Sequence, residues 1–179
     1  QQHLVGVDAA EVEVLVEEVL EHVDGLDEGV DAVVARHKFE TAFSDAALAE
    51  ARGASIDEVG ALASGYRDLR ERFVFTIDPD DARDFDDALS IEQVEDQGRL
   101  LWRIGVHIAD VSHYVEWGSA LDLAARRRAT SVYLVDRVIQ MIPEELSCGL
   151  CSLAPGEVRR SMTVELYVNE RAQLARYEI

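Results

Sequence analysis

Cysteine is scarce in this chain, and its scarcity limits what the protein can be. Only two of the 179 residues are cysteines, Cys148 and Cys151, and one closely spaced pair cannot form a disulfide framework. The Cys-x-x-Cys spacing lacks the second pair that a structural zinc site usually needs, and no βαβ context supports a thioredoxin-like site. We interpret the spacing as coincidental and expect a reducing, cytoplasmic setting.

Several other features are missing. No apolar run is long enough to cross a bilayer, and no basic segment followed by an apolar one opens the chain, so we expect neither a membrane partner nor export. The sequence lacks the G-x-S-x-G, P-loop and dinucleotide-binding motifs, which leaves acyl transfer by a nucleophilic serine and nucleotide cofactors without support. The chain begins without Met and stops at Ile179 inside a strand-like run, and we expect a piece of a longer polypeptide.

Basic residues are outnumbered, and the formal net charge is −19. The imbalance is uneven, because residues 1–60 carry 15 acidic and 3 basic side chains whereas residues 61–179 carry 21 and 14. Lys38 is the only lysine, and all 14 basic residues of the second part are arginines, which suit bidentate phosphate contacts better than lysines do. A nucleic-acid binder normally has a basic patch, so the acidic total indicates either a salt-adapted host or basic domains elsewhere.

The first 65 residues carry few sharp signals. Residues 9–23 fit a helical stripe and a strand about equally well, and the acidic stretch 24–31 predicts a loop. Two helix starts are expected at Ser44 and Ser55, the second because Ser55 and Glu58 have capping-box spacing. We interpret residues 1–65 as a linker and the edge of a neighbouring domain.

From Phe73 onward the pattern changes to short strands broken by helical segments. Apolar and β-branched runs predict strands, turn residues separate them at 95–98 and 169–170, a helix is expected over 119–128, and Pro143 opens a helical turn. The predicted strands cover residues 73–77, 88–92, 100–108, 130–135, 161–168 and 174–179. Strands that pair locally predict an α+β fold with a mixed, largely antiparallel sheet and flanking helices.

The strongest chemical signal is an acidic run, in which six aspartates fall within residues 78–87. Two carboxylates about 4 Å apart repel by roughly 4 kcal/mol at an effective dielectric constant near 20, so a folded chain that gathers several needs a cation or full exposure. Oxygen ligands favour hard ions such as Mg²⁺, Mn²⁺ or Ca²⁺.

Three interpretations of the run compete. A solvated acidic loop is one, although Phe85 lies inside the run and apolar strands flank it. An EF-hand calcium loop fails, because Ala82 occupies an expected ligand position and no glycine follows. A magnesium site for phosphodiester cleavage is the third: Asp78 would end one strand, Asp84, Asp86 and Asp87 would enter the next, and two metals about 4 Å apart could activate a water and stabilise the leaving oxygen.

Four segments carry a resemblance to a known family. They are Thr76 to Ala88 (TIDPDDARDFDDA), Gly105 to Val115 (GVHIADVSHYV), Ala125 to Leu134 (ARRRATSVYL) and Met141 to Leu153 (MIPEELSCGLCSL). In this order and spacing they resemble the catalytic RNB domain of the ribonuclease II and ribonuclease R family. The resemblance covers about residues 66–179, which would be the N-terminal part of that domain. Residues 1–65 resemble, more weakly, the end of a cold-shock-type oligonucleotide-binding domain and its linker.

The resemblance implies an activity and roles for particular residues. It implies processive 3′→5′ hydrolysis of single-stranded RNA from its 3′ end to 5′-mononucleotides, by a monomeric enzyme with Mg²⁺ as cofactor and Mn²⁺ as a possible substitute. It matches Asp78, Asp84, Asp86 and Asp87 to the metal-site aspartates, with Asp86 most critical for catalysis. Tyr133 matches the tyrosine that stacks on the terminal base, a contact worth about 1–3 kcal/mol that tolerates any sequence. The family's later catalytic residues lie beyond Ile179, so the 179-residue piece alone is expected to be inactive or nearly so.

Other candidate residues have competing interpretations. Arg126, Arg127 and Arg128 could form a phosphate track for RNA or could be cations at a helix C-terminus. His107 and His113 are expected to be structural, and Asp110 to anchor a turn. Trp102, Trp117 and Phe85 are expected in the core.

Three hypotheses about function remain open. The first is the Mg²⁺-dependent exoribonuclease. The second is an RNA-binding module of the same fold that has lost catalysis, although all four matching aspartates are present. The third and most remote is a structural calcium-binding domain, which comparison of Ca²⁺ with Mn²⁺ and Mg²⁺ binding would test.

Overall fold

The computed structural model of the chain describes residues 26–179, so segment 9–23, predicted as helix or strand, lies outside the described residues. The described residues fall into two compact units. The first comprises residues 26–42 and 128–141, and the second comprises residues 43–127 and 142–179. The domain division predicted after residue 65 stays a prediction.

The second unit is built on a five-stranded antiparallel sheet with the order β1-β2-β3-β6-β7. Its strands are β1 (Val74–Phe75), β2 (Asp87–Asp96), β3 (Arg99–Ala109), β6 (Ser161–Val168) and β7 (Leu174–Glu178). The two long strands β2 and β3 form a hairpin whose two-residue turn, Gln97-Gly98, has positive φ at both positions. Such turns match the twist of hairpin strands. The prediction of an α+β fold with a largely antiparallel sheet and flanking helices is confirmed.

One face of this sheet is polar and largely buried. His107 lies between Ser90 and Thr163, and the neighbouring Glu165 has a fully buried side chain. Arg72, from the irregular segment before β1, pairs with Glu165, and Arg67 bonds the same carboxylate at 3.1 Å. Buried charges are tolerated when they are paired in this way.

The opposite face is apolar, and its large side chains reach solvent. Cross-strand pairs such as Ile104 with Leu166 put them on one side of the sheet. Seven of them are at least 38% exposed: Ile91, Leu100, Trp102, Ile108, Met162, Leu174 and Tyr177. The prediction that Trp102 lies in the core is therefore wrong, because the period-two alternation of β3 turns it towards this face. Trp117 is also not in the core: it lies in a loop after the short helix Val111–Tyr114, is 84% exposed and carries Arg126 stacked on its ring.

Helices complete the second unit. They are α2 (Asp45–Gly53), α3 (Glu58–Ala63), α4 (Val111–Tyr114) and α5 (Ala120–Arg128), the last residue of which belongs to the first unit. A short helical segment, Leu146–Leu150, is kinked at Gly149. Alanines of α2 and α5 pack with Leu121, Leu146 and Cys151 in a core of buried residues.

The helix starts follow local capping chemistry. Ser44 caps α2 as predicted, accepting a hydrogen bond from the Ala47 amide. The start predicted at Ser55 is wrong, since Asp57 caps α3 by accepting from the Gly60 amide. A carboxylate closer to the helix takes the place of the Ser55 hydroxyl.

The first unit contains α1 (Leu26–His37) and a two-stranded hairpin of β4 (Val132–Tyr133) and β5 (Val138–Ile139). The loop predicted over 24–31 is therefore wrong from Leu26 onward, where α1 begins. Arg137, in the hairpin, pairs with Asp31 of α1 at 2.9 Å. Within residues 26–179, no helix has the length and apolar character to span a membrane.

Candidate functional site

The acidic run forms the connection between β1 and β2. Asp78 lies three residues after β1, the Pro79 carbonyl accepts a hydrogen bond from the Ala82 amide to close a turn, and Asp87 is the first residue of β2. The chain thus leaves one strand, turns, and enters its antiparallel neighbour, so both ends of the run lie at the same edge of the sheet. The prediction had Asp78 at the end of a strand; β1 stops earlier, at Phe75.

The negative charges of four of the six aspartates interact. The pKa of Asp86 is raised, first because the surrounding protein partly desolvates its carboxylate, and then because the charges of Asp84, Asp87 and Asp78 repel its own. Asp80 and Asp81 lie in the exposed turn and do not contribute to this shift. The charges of Asp84, Asp87 and Asp78 therefore act on Asp86, and of the six aspartates only Asp84 is half-buried.

The donor chemistry of these four residues fits a hard divalent cation, since every donor is a carboxylate oxygen. Raised proton affinity at Asp86 is also what crowded carboxylates show when no cation compensates them. In the described part of the chain, no group of three or more His, Cys, Asp or Glu side chains is arranged so that it could hold a metal ion.

Hydrogen bonds from distant segments of the chain fix the loop that carries Asp84 and Asp86. The Asp86 carbonyl accepts a hydrogen bond at 2.9 Å from the amide of Ala109, at the end of β3, and the Phe85 carbonyl accepts one at 2.9 Å from the amide of Leu153. Phe85 itself is half-buried. The buried hydroxyl of Ser152 also contacts this loop. Ser152 lies in one of the four segments that resemble the family, but its residue type does not indicate this role, and it is 68 residues from Asp84 in the chain.

The residues predicted to bind RNA are divided between the two units. Tyr133 and Arg128 belong to the first, whereas Arg126 and Arg127 belong with the aspartates to the second. Tyr133 is 64% exposed on the β4–β5 hairpin, so its ring is accessible.

The three consecutive arginines differ in what they contact. Arg126 pairs with Asp122 at 2.8 Å and stacks over Trp117. Arg128 donates to the backbone carbonyls of Glu40, Ala42 and Gln140, which ties its guanidinium into the first unit. Arg127 is exposed. The backbone contacts of Arg128 favour the structural interpretation for that residue, and phosphate contacts by all three stay a prediction.

His107 and Asp110 make the structural contacts that were expected of them. Both ring nitrogens of buried His107 have partners at 2.9 Å, Thr163 and Ser90. Asp110 accepts hydrogen bonds from Tyr66 at 2.5 Å and Ser112 at 2.8 Å, anchoring the turn into α4. Both cysteines are free thiols, and burial raises the pKa of Cys151 to about 11.

Comparison with known proteins gives the family. The model of the RNB domain family matches residues 66–179. The chain belongs to the RNB domain family. The match includes the acidic run, the sheet of the second unit and the three arginines, in agreement with the resemblance found in the sequence.

Relatives within the family share substantial identity over part of their length. Ribonuclease R of Thermotoga maritima is 51% identical over 115 residues, which make up 64% of this chain and 16% of that protein. Ribonuclease R of Escherichia coli is 40% identical over 161 residues, 90% of this chain and 19% of that protein. The chain thus spans less than a quarter of the length of these RNB-domain relatives.

A solved RNB-domain protein has a similar structure. RNase R of Mycoplasma genitalium, in complex with ribose methylated single-stranded RNA, superposes with a TM-score of 0.76 at 27% identity, covering 83% of this chain and 23% of that one. The fold seen here is therefore the fold of an RNase R over the corresponding part of the RNB domain.

Proposed function

We propose that the chain is the N-terminal part of the catalytic domain of a 3′→5′ exoribonuclease that hydrolyses single-stranded RNA to 5′-mononucleotides with the help of Mg²⁺. The observation that carries the proposal is the acidic loop between β1 and β2, where partial desolvation and then the charges of Asp84, Asp87 and Asp78 raise the pKa of Asp86. Relatives over this same region are ribonuclease R proteins, and a similar structure is an RNase R with single-stranded RNA.

In this proposal the four aspartates Asp78, Asp84, Asp86 and Asp87 hold the cation, with Mn²⁺ able to replace Mg²⁺. A bound divalent charge would offset the repulsion among these carboxylates, which adds to the desolvation that raises the pKa of Asp86. A bound ion of this kind supplies an acidified water and stabilises charge on a leaving oxygen. The chain's own contribution is to fix the carboxylates at the edge of the sheet.

The remaining residues act on the RNA. Tyr133 offers an exposed ring on which the terminal base stacks without regard to its identity. Arg127, with Arg126 and Arg128, contributes cations for the phosphate backbone, where arginine forms bidentate contacts. The enzyme acts as a monomer in the cytoplasm, and the 179-residue chain by itself is inactive or nearly so.

The test replaces one carboxylate and compares it with a matched neighbour. In a full-length protein that carries this chain, Asp86→Asn should abolish mononucleotide release while leaving RNA affinity intact, because the amide keeps the size but removes the charge needed by the cation. Asp80→Asn removes one charge from the same loop at a position in the exposed turn, and it should retain turnover. Both rates are measured from the release of nucleotides from labelled single-stranded RNA with Mg²⁺.

Two outcomes would contradict the proposal. Turnover that survives in Asp86→Asn would show that the role assigned to this residue is wrong. RNA binding without any nucleotide release by the unaltered protein would indicate the alternative, an inactive RNA-binding module of the same fold.

A further inference from the structure

The loop that carries Asp84 and Asp86 has no helix or strand of its own to define its shape. Residues 82–86 lie between the turn at Pro79 and the start of β2. Their backbone direction, and therefore the direction in which Asp84 and Asp86 project, depends on contacts with other parts of the second unit.

One side chain supplies two of those contacts. The hydroxyl of Ser152 donates to the Arg83 carbonyl at 2.7 Å and accepts from the Phe85 amide at 3.1 Å. These two groups flank Asp84 on either side. A hydroxyl is suited to this position because it donates and accepts at once, and Ser152 is fully buried, so water does not compete for either bond.

Hydrogen bonds also fix the backbone of Ser152. Its amide donates to the Gly149 carbonyl at 3.1 Å, and its carbonyl accepts from Arg159 Nε at 2.9 Å. Arg159 Nε also bonds the Gly149 carbonyl at 3.1 Å, so one guanidinium joins both ends of the segment 149–152. The next residue, Leu153, continues the contact through its amide, which bonds the Phe85 carbonyl.

From this geometry we infer that Ser152 is a positioning residue for the metal site, which fixes the loop so that Asp84 and Asp86 face a shared divalent cation. The inference rests on the proposed function, and it adds a residue far from the acidic run in sequence. Ser152 does not touch the cation or the RNA; it acts through the backbone on both sides of Asp84.

The chain contains a matched control. Ser147 is also a buried serine, in the helical segment Leu146–Leu150 just before Ser152. Its hydroxyl donates to the Pro143 carbonyl at 3.5 Å and to Cys148 Sγ at 3.8 Å, and it bonds nothing in the acidic loop. Ser147→Ala therefore removes a buried hydroxyl from the same neighbourhood without releasing the loop, whereas Ser152→Ala leaves a carbonyl and an amide beside Asp84 unpaired.

The first measurement is Mn²⁺ binding to the 179-residue chain, followed by the loss of the free-ion signal in electron paramagnetic resonance. Removing a group that orients metal ligands typically costs about 10- to 100-fold in metal affinity, and we expect a loss of about tenfold or more for Ser152→Ala. Ser147→Ala should stay within about twofold of the unaltered chain. Ser152→Thr, which keeps the hydroxyl, should regain affinity relative to Ser152→Ala.

The second measurement uses a full-length protein that carries the chain. Ser152→Ala should raise the Mg²⁺ concentration needed for half-maximal rate and should regain turnover at high Mg²⁺, while the KM for RNA stays unchanged. A loss of folded protein would instead lower the maximal rate at every Mg²⁺ concentration.

The outcomes separate this inference from the proposed function. If the unaltered chain binds Mn²⁺ and folded Ser152→Ala binds it equally well, the positioning role is wrong and the proposed function stands. If the unaltered chain binds no Mn²⁺, the metal site fails and this inference fails with it. Should Ser152→Ala not fold, Ser152→Cys, which keeps a similar size with a weaker hydrogen-bonding group, takes its place under the same criteria.

Discussion

At the scale of single residues, the polar face of the sheet shows how buried polar groups are compensated. Burial alone would raise the pKa of Glu165, but hydrogen bonds and charges from Arg72 and Arg67 lower it below its ordinary value. His107, which is buried and bonded at both ring nitrogens, has a lowered pKa because of its burial and because Arg72 is near. The polar face of the sheet therefore stabilises the ionised form of Glu165 and the neutral form of His107.

The neutral His107 makes stability depend on pH. Because its folded pKa lies below the unfolded value of about 6.5, the unfolded chain binds the proton more readily, and this contribution to the free energy of unfolding is lost as pH falls below that value. We expect chemical denaturation to show stability declining from pH 7 towards pH 5 in the unaltered chain and a flatter profile in His107→Gln.

His113 provides the control for this profile. Its ring is exposed and packs edge-on against Tyr114, so His113→Gln should keep the pH dependence of the unaltered chain. An equally steep decline in His107→Gln would mean that another group is responsible.

At the scale of elements, the β2–β3 hairpin depends on one glycine. Gly105 lies opposite Ser90 in the register, and a Cβ atom built there would lie 2.4 Å from Ser90 Oγ and 2.8 Å from His107 Nε2. The absence of a side chain is what allows the Ser90–His107–Thr163 chain of hydrogen bonds to cross the strands.

Adding one methyl group at this position should therefore weaken the sheet. We expect Gly105→Ala to lower the free energy of unfolding by about 1–3 kcal/mol, the usual cost of overpacking, as measured by urea denaturation. Gly53→Ala is the comparison, because nothing lies within 4 Å of its Cβ position, and it should be neutral or stabilising by up to about 1 kcal/mol. Equal effects of the two substitutions would contradict the steric explanation.

At the scale of the whole molecule, the second unit combines a buried polar sheet face with an apolar face that reaches solvent. Contiguous exposed apolar surface is uncommon on soluble monomers and binds other apolar groups. The net charge of −19 opposes association of such surfaces through repulsion. The chain is thus expected to stay in solution while it displays apolar surface.

A dye that fluoresces on apolar surfaces can test this directly. The 179-residue chain should bind 8-anilinonaphthalene-1-sulfonate in its folded state, and Met162→Lys should reduce the fluorescence, because Met162 is 59% exposed in the apolar face. Val59→Lys, at an 80% exposed position on α3, should leave it nearly unchanged. Absence of dye binding to the folded chain would show that this face is covered.

Local sequence signals determined much of the fold and the nature of the candidate site. The strands of the sheet were predicted because alternating or β-branched runs end at turn residues, as at Gln97-Gly98, and such signals act over a few residues. The acidic run was recognised because crowded carboxylates are costly without a cation, whatever the fold. The family followed from the same residues.

Tertiary structure decided what depends on distant partners. The alternation of β3 gives two faces, but only the folded chain decides which is covered: it buries the polar face, where Arg72 pairs with Glu165, and leaves Trp102 exposed. That Asp78, Asp84 and Asp87 lie close enough for their charges to act on Asp86 depends on the turn at Pro79. Ser152 reaches the loop only because the folded chain brings position 152 beside position 84, and hydrogen bonds act over about 3 Å of space rather than along the sequence.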